Sequence, residues 1–549
     1  MPSDRIAYSK PSTPLQRGRA CGNCRRRKIR CDGAKPQCTP CRRNSRSTEE
    51  CEYKDAGLSR VQTLEANIAR LEAKIRDLQC LNGHVITLFQ PYDESGANTR
   101  ANSSRSSTPP SIISSGDELF EESLRAKTLL QSFLPYAHEF GFFMDTNKFF
   151  ERASLPLPLG HIARPCPALL AAAYLWGVCL SQDETLLSQE HDYLSRALQS
   201  VAHGLSSDHP DKIMDGIQAE ILLSIYFFRK GRFLEGKYHA SAATTLAISS
   251  GLHRIRSLTD PNSLLQPFED VLPPAANGED EAVRIAGFWA VYTTSTCWSA
   301  VLRSPCCAFD SPALQIDTLW PLDPENFQDL PKDLVGHLTI RDFLEGSNNV
   351  SFGQFSISEV VAKASILYHR ATQLVAQCHD NMPQDEFQKF TVTFTSLDNV
   401  IEHFVGQLPL PDHASVTSPS TIRALLVAHT LAHSASIQLH TVFSSTSDLS
   451  RNRCLLSART VIDMIGIANI EQFTHFPWTS AAHILIDEIA RLRRLRSIWK
   501  DESTTEAEQS LVAALNRGFL AMSFIALTSP LLDRQVKTLK ESYATISPS

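Results

Sequence analysis

The sequence predicts a mainly α protein built in parts: a small metal-bound cysteine module, a parallel coiled coil, a disordered linker and a large all-helical domain. Three observations predict it. Six cysteines crowd into residues 21–51. From Val61 the apolar residues recur in alternating steps of three and four. Beyond residue 118, Leu, Ala and Ser recur with a period near 3.6 residues, and Pro or Gly punctuate at helix-length intervals. At 549 residues the chain is too long for one small core, and its 42 % apolar content excludes a wholly disordered protein.

Residues 1–17 read as a flexible tail, with charges and prolines but no apolar stretch of a secretory leader. The cysteine module, expected over residues 18–54, places Cys21, Cys24, Cys31, Cys38, Cys41 and Cys51 in the spacing C-x2-C-x6-C-x6-C-x2-C-x9-C. A C-x2-C pair sets two thiolates on one ion at about 2.3 Å each with little backbone strain. Disulfides are the competing reading, but the eight other cysteines scatter through apolar or loop sequence, which suits a reducing compartment. A bare nuclear-localisation patch would account for RRRKIR but not for six cysteines at ligand spacing. Six thiolates serve one tetrahedral ion with two to spare, or two ions if two sulfurs bridge.

Between Arg17 and Arg46 stand eleven Lys and Arg against one acid, Asp32, a net of +10. The whole chain carries −6, so the remainder sums to −16. One end is built to meet a polyanion and the rest is not.

These residues resemble the fungal zinc binuclear cluster transcription factors. The matching residues are Cys21-Gly-Asn-Cys24-Arg-Arg-Arg-Lys28-Ile-Arg30-Cys31-Asp32, then Lys35-Pro36-x-Cys38-x-x-Cys41, and Cys51. The resemblance implies two Zn2+ ions sharing Cys21 and Cys38, one completed by Cys24 and Cys31, the other by Cys41 and Cys51. The last gap, nine residues, is slightly longer than in the family's compact version and loosens the loop from Arg42 to Glu50. The resemblance also implies double-stranded DNA as partner. The end of the first short helix would then point into the major groove, with Arg27 and Lys28 donating to guanine O6 and N7 of a CGG-type half-site. Arg25, Arg30, Lys35 and Arg42 are expected on phosphates, which fix register without reading sequence.

One triplet holds too little information to find a gene, so such modules commonly pair. Residues 58–89 supply the means: Val61, Ile68, Ile75 and Asn82 fall at a, and Leu64, Leu71 and Leu78 at d. β-Branched residues at a with leucine at d favour a parallel two-stranded coil, in which a polar Asn82 fixes register at some cost in stability. An amphipathic helix packed on its own domain is the plainer reading of such a stripe, but polar b, c and f positions favour the coil and a homodimer.

Residues 90–118, rich in Ser, Asn and Pro, read as a disordered linker. From 119 to 549 helices are expected, among them Ala168–Leu180, Gln218–Phe228, Phe233–Ser250, Ala282–Leu302, Thr421–Phe443 and Cys454–Ala468. The uncharged run Cys166–Leu180 is shorter than the ~20 residues a bilayer needs, so a buried helix and no membrane partner are expected. Gly231 reads as the break of a helical hairpin and Gly251-Leu252 as a Schellman-type stop. The segments Ile217–Tyr226, Arg229–Phe233, Ala240–Arg254 and Phe288–Pro305 resemble the fungal-specific transcription factor regulatory domain. That resemblance implies contacts with transcription machinery or co-regulators and leaves room for a small-molecule effector.

No Gly-rich phosphate loop, nucleophile elbow or HExxH motif appears. His429 and His433 stand four apart, as ligands on one helix face would, but satisfied helix histidines are far commoner. The competing readings are a ligand-binding or enzymatic helical domain with an accessory zinc module, and a zinc-stabilised interaction protein. The expectation is a non-enzymatic, zinc-dependent, sequence-specific DNA-binding regulator of RNA polymerase II genes in the nucleus.

Overall fold

Helices account for the regular structure among the described residues, and no strand occurs there. The computed structural model describes residues 20–34, 37–43 and 51. It also describes residues 115–546, apart from 182, 258–271, 303–307, 312–313, 330–338, 347–355, 380, 411–417, 468–477, 500–503 and 528. The expected tail, the coil with Val61, Leu64, Ile68, Leu71, Ile75, Leu78 and Asn82, linker residues 90–114, and Lys35 lie outside the described residues. The chain divides into two compact units, Met1–Pro110 and Ser111–Ser549.

In the smaller unit two short helices, α1 (Gly22–Arg26) and α2 (Thr39–Arg42), each begin at a cysteine. The larger unit opens with α3 (Ser115–Phe133), which starts four residues before the expected boundary at 119. The linker reading ran too far because its Ser-rich composition hid the acidic run Asp117-Glu118, which favours a helix N-terminus.

A 3-10 turn (Leu134–Phe140) and α4 (Thr146–Ala153) lead to α5 (Pro167–Cys179), which starts with proline in its first turn and is buried along most of its length. This is the expected buried helix. No helix among the described residues is long and apolar enough to cross a membrane. The pair α6 (Glu184–Leu187) and α7 (Glu190–Gly204) packs beside α5.

The hairpin expected at Gly231 joins α8 (Lys212–Arg229) to α9 (Phe233–Ser249). Gly231 is left-handed (φ 72°); its N–H donates to Phe228 O at 2.9 Å and Arg232 N–H to Phe227 O at 2.9 Å. These two bonds complete a Schellman motif. Gly251, where the sequence places that motif, is also left-handed (φ 73°) and donates to Ile248 O at 3.0 Å.

Next, α10 (Gly278–Val301) is capped by Asn277, whose side-chain oxygen accepts from Asp280 N–H at 2.8 Å, with three acids in its first turn. After α11 (Thr339–Leu344), helices α12 (Ile357–Ala376), α13 (Gln384–Gln407) and α14 (Pro419–Thr441) build a second core. Four more helices, α15 (Asp448–Ile467), α16 (Trp478–Trp499), α17 (Thr504–Ala526) and α18 (Pro530–Ile546), build a third. Helix α14 serves both, giving Leu431 and Leu439 to one and Leu426 and Ile437 to the other. From Leu425 to His440 nearly every residue of α14 is buried, as its place between two cores requires.

Several buried histidines act as clips. His239 Nδ1 lies 2.5 Å from Glu220, and His440 bridges Asp398 (2.9 Å) and Ser450 (3.2 Å). His429 Nε2 meets the Pro409 carbonyl at 2.9 Å, and its ring stacks on His433. Each joins separate segments by satisfying a buried polar group.

Helix α5 crosses α3 at Gly177, where an added Cβ would stand 2.3 Å from the Leu129 carbonyl oxygen. Gly177→Ala should therefore destabilise the larger unit by about 1–3 kcal/mol, because backbone cannot yield as a side chain can. Gly406→Ala, which meets nothing within 4 Å, should be neutral or stabilise by up to about 1 kcal/mol. Thermal unfolding of both variants checks the pair.

Candidate metal centre and nucleic-acid interface

The smaller unit repeats one local solution. Cys21 is the N-cap of α1 and Cys38 of α2, each with extended backbone (ψ 156° and 151°). Each caps a helix whose first turn carries the second cysteine of its C-x2-C pair, Cys24 or Cys41. Cys21 Sγ accepts from Cys24 N–H at 3.4 Å, and Cys51 Sγ accepts from Cys38 N–H at 3.4 Å. Amide hydrogen bonds of this kind favour sulfur as thiolate.

All six cysteines are buried or at the edge of it, from 0 to 9 % exposed, and among the described residues Ala20 is the partly buried apolar residue packed against them. Their sulfurs gather in two groups of four, Cys21, Cys24, Cys31, Cys38 and Cys21, Cys38, Cys41, Cys51, each with every sulfur within 4.8 Å of the others. Cys21 and Cys38 belong to both. The Cys21–Cys38 and Cys24–Cys38 separations are 3.7 and 3.6 Å, and Cys21–Cys41 is 3.8 Å. A tetrahedral zinc with Zn–S bonds of about 2.3 Å needs sulfurs about 3.8 Å apart. The donor set and its spacing fit zinc.

One spacing differs. Cys24 and Cys41, which belong to different groups, stand 3.8 Å apart. Two tetrahedra sharing an edge would hold such outer sulfurs roughly 5 Å apart, so a second ion would spread this pair.

Six thiols this close cannot all ionise without a cation. Burial drives Cys24 up to about 12 and Cys38 higher still. In Cys21 burial is outweighed by hydrogen bonds from the Cys24 amide and the neighbouring sulfurs, which bring it down to about 6. Metal loading must therefore displace protons.

The basic side chains project outward. Residues 25–30 are all exposed, as is Arg42. Arg25 spends one donor on the Ala20 carbonyl at 3.3 Å, whereas no side-chain hydrogen bond or ion pair is formed by Arg27, Lys28, Arg30 or Arg42 among the described residues. Lys28 has a left-handed backbone (φ 53°), which no feature of the sequence announces. Its N–H donates to Arg25 O at 3.2 Å and the Ile29 N–H to Cys24 O at 3.1 Å. This is again the Schellman pair, with lysine where glycine is usual. Lysine there costs on the order of 1 kcal/mol.

Asp32 was legible only as the lone acid of a basic run. Both its oxygens accept from Thr39 N–H at 3.1 Å, strapping the chain after Cys31 to the start of α2. The hydrogen bonds from Thr39, against a smaller cost of burial, hold its carboxyl below the usual range.

A second ligand-like group, Cys166, His209 and Asp215, lies buried in the larger unit. His209 meets the Arg164 carbonyl through Nε2 (2.9 Å) and the Asp211 amide through Nδ1 (3.2 Å), while Asp215 accepts from the Cys166 amide at 2.7 Å. These groups are occupied in tying the start of α5 to α8.

Comparison with known proteins places this geometry. Residues 19–58 match the family model of the fungal Zn(2)-Cys(6) binuclear cluster domain. A stretch of 43 residues is 54 % identical to the C6 finger domain transcription factor hasF of Aspergillus fumigatus, covering 7 % of this chain and 6 % of that protein. No solved structure matches the chain. The N-terminal segment thus carries the sequence and donor set of a zinc-binding, DNA-binding domain of fungal transcription factors.

Asp32→Ala should leave the Thr39 N–H without its acceptor and loosen the two halves by about 1 kcal/mol. The readout is faster zinc transfer to a chromophoric chelator, with Asp32→Asn intermediate.

Proposed function

We propose that the protein is a zinc-dependent transcription factor that reads CGG-type half-sites in double-stranded DNA as a homodimer in the nucleus. Two Zn2+ ions share Cys21 and Cys38; Cys24 and Cys31 complete one, Cys41 and Cys51 the other. The single observation that carries this reading is the pair of sulfur tetrads with two members in common, set beneath an exposed basic helix end.

Lys28 and Arg27 leave the end of α1 together and donate to guanine O6 and N7, the commonest base-specific contact in the major groove. The left-handed backbone at Lys28 supports this role: a residue held at a conformational cost where glycine would be free is kept for its side chain. Arg25, Arg30, Lys35 and Arg42 hold phosphates. Residues 58–89 pair two chains in parallel through Val61, Leu64, Ile68, Leu71, Ile75, Leu78 and Asn82. The helical domain, residues 119–549, acts as the regulatory part and contacts transcription machinery or co-regulators. The similarity to the C6 finger relative supports the DNA-binding reading, and the excess of positive charge in residues 17–46 supports a polyanionic partner.

Lys28→Gly separates fold from function. Glycine relieves the strained stop, so zinc retention should hold or improve, while affinity for a CGG-containing duplex falls about tenfold or more and the preference over scrambled duplex shrinks. Arg30→Ala should instead weaken both duplexes alike and lower the salt dependence by about one counterion. Equal loss on both duplexes for Lys28→Gly would remove it from base reading.

Leu71→Asp with Leu78→Asp places two charges in the seam. The full chain should then sediment as a monomer and lose affinity for paired half-sites more than for a single one.

A further inference from the structure

A cavity of about 300 Å3 lies within the larger unit, walled by the 3-10 turn Leu134–Phe140, the loop from Pro321 to Phe327, and helices α8, α10, α12 and α14. Its size is at the lower end of small-molecule sites. One face of α10 lines it, where Ala286, Ala290, Thr294, Cys297 and Val301 follow one another at steps of three and four. The walls are fixed by hydrogen bonds that do not depend on any occupant. The fully buried Gln218 donates to Gly141 O at 3.1 Å and accepts from Phe143 N–H at 2.8 Å. Trp289 Nε1 donates to Leu319 O at 2.7 Å, and Trp298 stacks on Phe228 at 4.2 Å.

The charges of this lining are already met. Arg423 Nε meets a Glu139 carboxylate oxygen, and Arg229, which lies outside the lining, also acts on that carboxylate. Asp323 accepts from the amides of Ile357 and Ser358 at 2.9 and 2.8 Å and from the Ser358 hydroxyl at 2.8 Å, at the positive end of α12. Glu325 is exposed to water at the rim. His138 donates its Nδ1–H to Phe142 O at 2.8 Å, since a carbonyl can only accept. Crowding of the ring by protein outweighs the pull of Glu325, Asp323 and Asp145 and holds the imidazole below its usual range, so it is neutral and its Nε2 is an acceptor.

Three polar groups of the lining are left over. His138 Nε2, the Thr294 hydroxyl and Trp298 Nε1–H form no hydrogen bond among the described residues. Thr294 and Trp298 are 8 and 7 % exposed and stand one turn apart on α10. Thr296, two residues on, gives its hydroxyl to Tyr292 O at 2.7 Å, the usual habit of a helical threonine. Thr294 makes no such bond. A Cβ at Gly141 would stand 3.6 Å from its oxygen, so the turn that carries His138 closes against it. Buried polar groups are nearly always paired, and those left unpaired around a cavity mark where the polar atoms of an occupant belong.

We propose that this cavity binds an uncharged aromatic hydroxy ketone, its carbonyl accepting from Trp298 Nε1–H, its hydroxyl donating to His138 Nε2, and the Thr294 hydroxyl serving either. A carboxylate or an ammonium would enter among groups whose charges are met, losing hydration without gaining a partner. The assignment gives a chemical class to the occupant of the larger unit and stands apart from the DNA-binding reading.

The test is isothermal titration of the full-length protein with 4-(4-hydroxyphenyl)butan-2-one and 4-hydroxychalcone, beside 3-(4-hydroxyphenyl)propanoate and tyramine as charged counterparts. At least one ketone should bind saturably and at least tenfold more tightly than both charged compounds. Thr294→Val, Trp298→Phe and His138→Asn each remove one polar atom with little change of shape, and the asparagine amide keeps a donor for Phe142 O. Each should weaken binding about threefold to tenfold, while Thr296→Val, outside the lining, leaves it unchanged. Ala290→Phe, which fills the cavity, should abolish binding; should it fail to fold, Ala286→Leu fills the same space. No saturable binding of either ketone, a charged counterpart that binds within tenfold, binding that survives filling of the cavity, or binding undiminished in all three polar variants would overturn the assignment.

Discussion

Sulfur takes the place of a hydrocarbon core in the described part of the smaller unit. Among its described residues the buried side chains are six cysteines, with Ala20 partly buried beside them. A segment with so little apolar surface to remove from water cannot offset the entropy of ordering its chain. The sulfurs also sit too close to ionise together unless a cation accompanies them. A divalent ion meets both needs, because it replaces protons and its binding free energy becomes folding free energy. The direction of α1, the exposure of its basic end and the strap from Asp32 all follow from that centre. The larger unit rests on different physics, three apolar cores of which two share the buried helix α14.

What was legible in the sequence tracks how each feature is encoded. Ligand spacing is a one-dimensional signal, so the cysteines could be read directly, and the structure gathers all six. Helix period is another, and the six helices read from it appear within about six residues of their expected ends, the largest shifts being α8, which begins at Lys212 rather than Gln218, and α15, which begins at Asp448 rather than Cys454. Conformations that break a residue's habit leave no such trace. Nothing about a lysine announces a left-handed backbone, so the stop at Lys28 was invisible while the one at Gly231 was plain. Nor does a single aspartate announce that it will hold an amide seven residues away. The His429–His433 spacing carried a metal pattern that the fold uses as stacked core polar groups. The cavity was beyond reach for a further reason: Glu139 and Arg423 are far apart in sequence, and only tertiary packing makes them partners.

Charge is divided as sharply as structure. Residues 17–46 carry +10 and the remainder −16. An acidic remainder is repelled by the same polyanion that attracts the basic module, so nonspecific adhesion of the large helical domain to nucleic acid is suppressed. On the proposed reading, affinity is then concentrated in the few dozen residues of the basic module, which raises the ratio of specific to nonspecific occupancy without any added base contact.

The strained stop at Lys28 limits how this module can diversify. On the proposed reading, position 28 must both end a helix in a left-handed turn and carry a long cationic side chain. β-Branched and bulky residues are barred from that backbone, and glycine or asparagine, which it welcomes, cannot span to a base edge. Few alternatives satisfy both demands, so a lineage carrying this turn would keep nearly the same triplet. Its members would be told apart by how far apart, and in which orientation, two copies of that triplet are held.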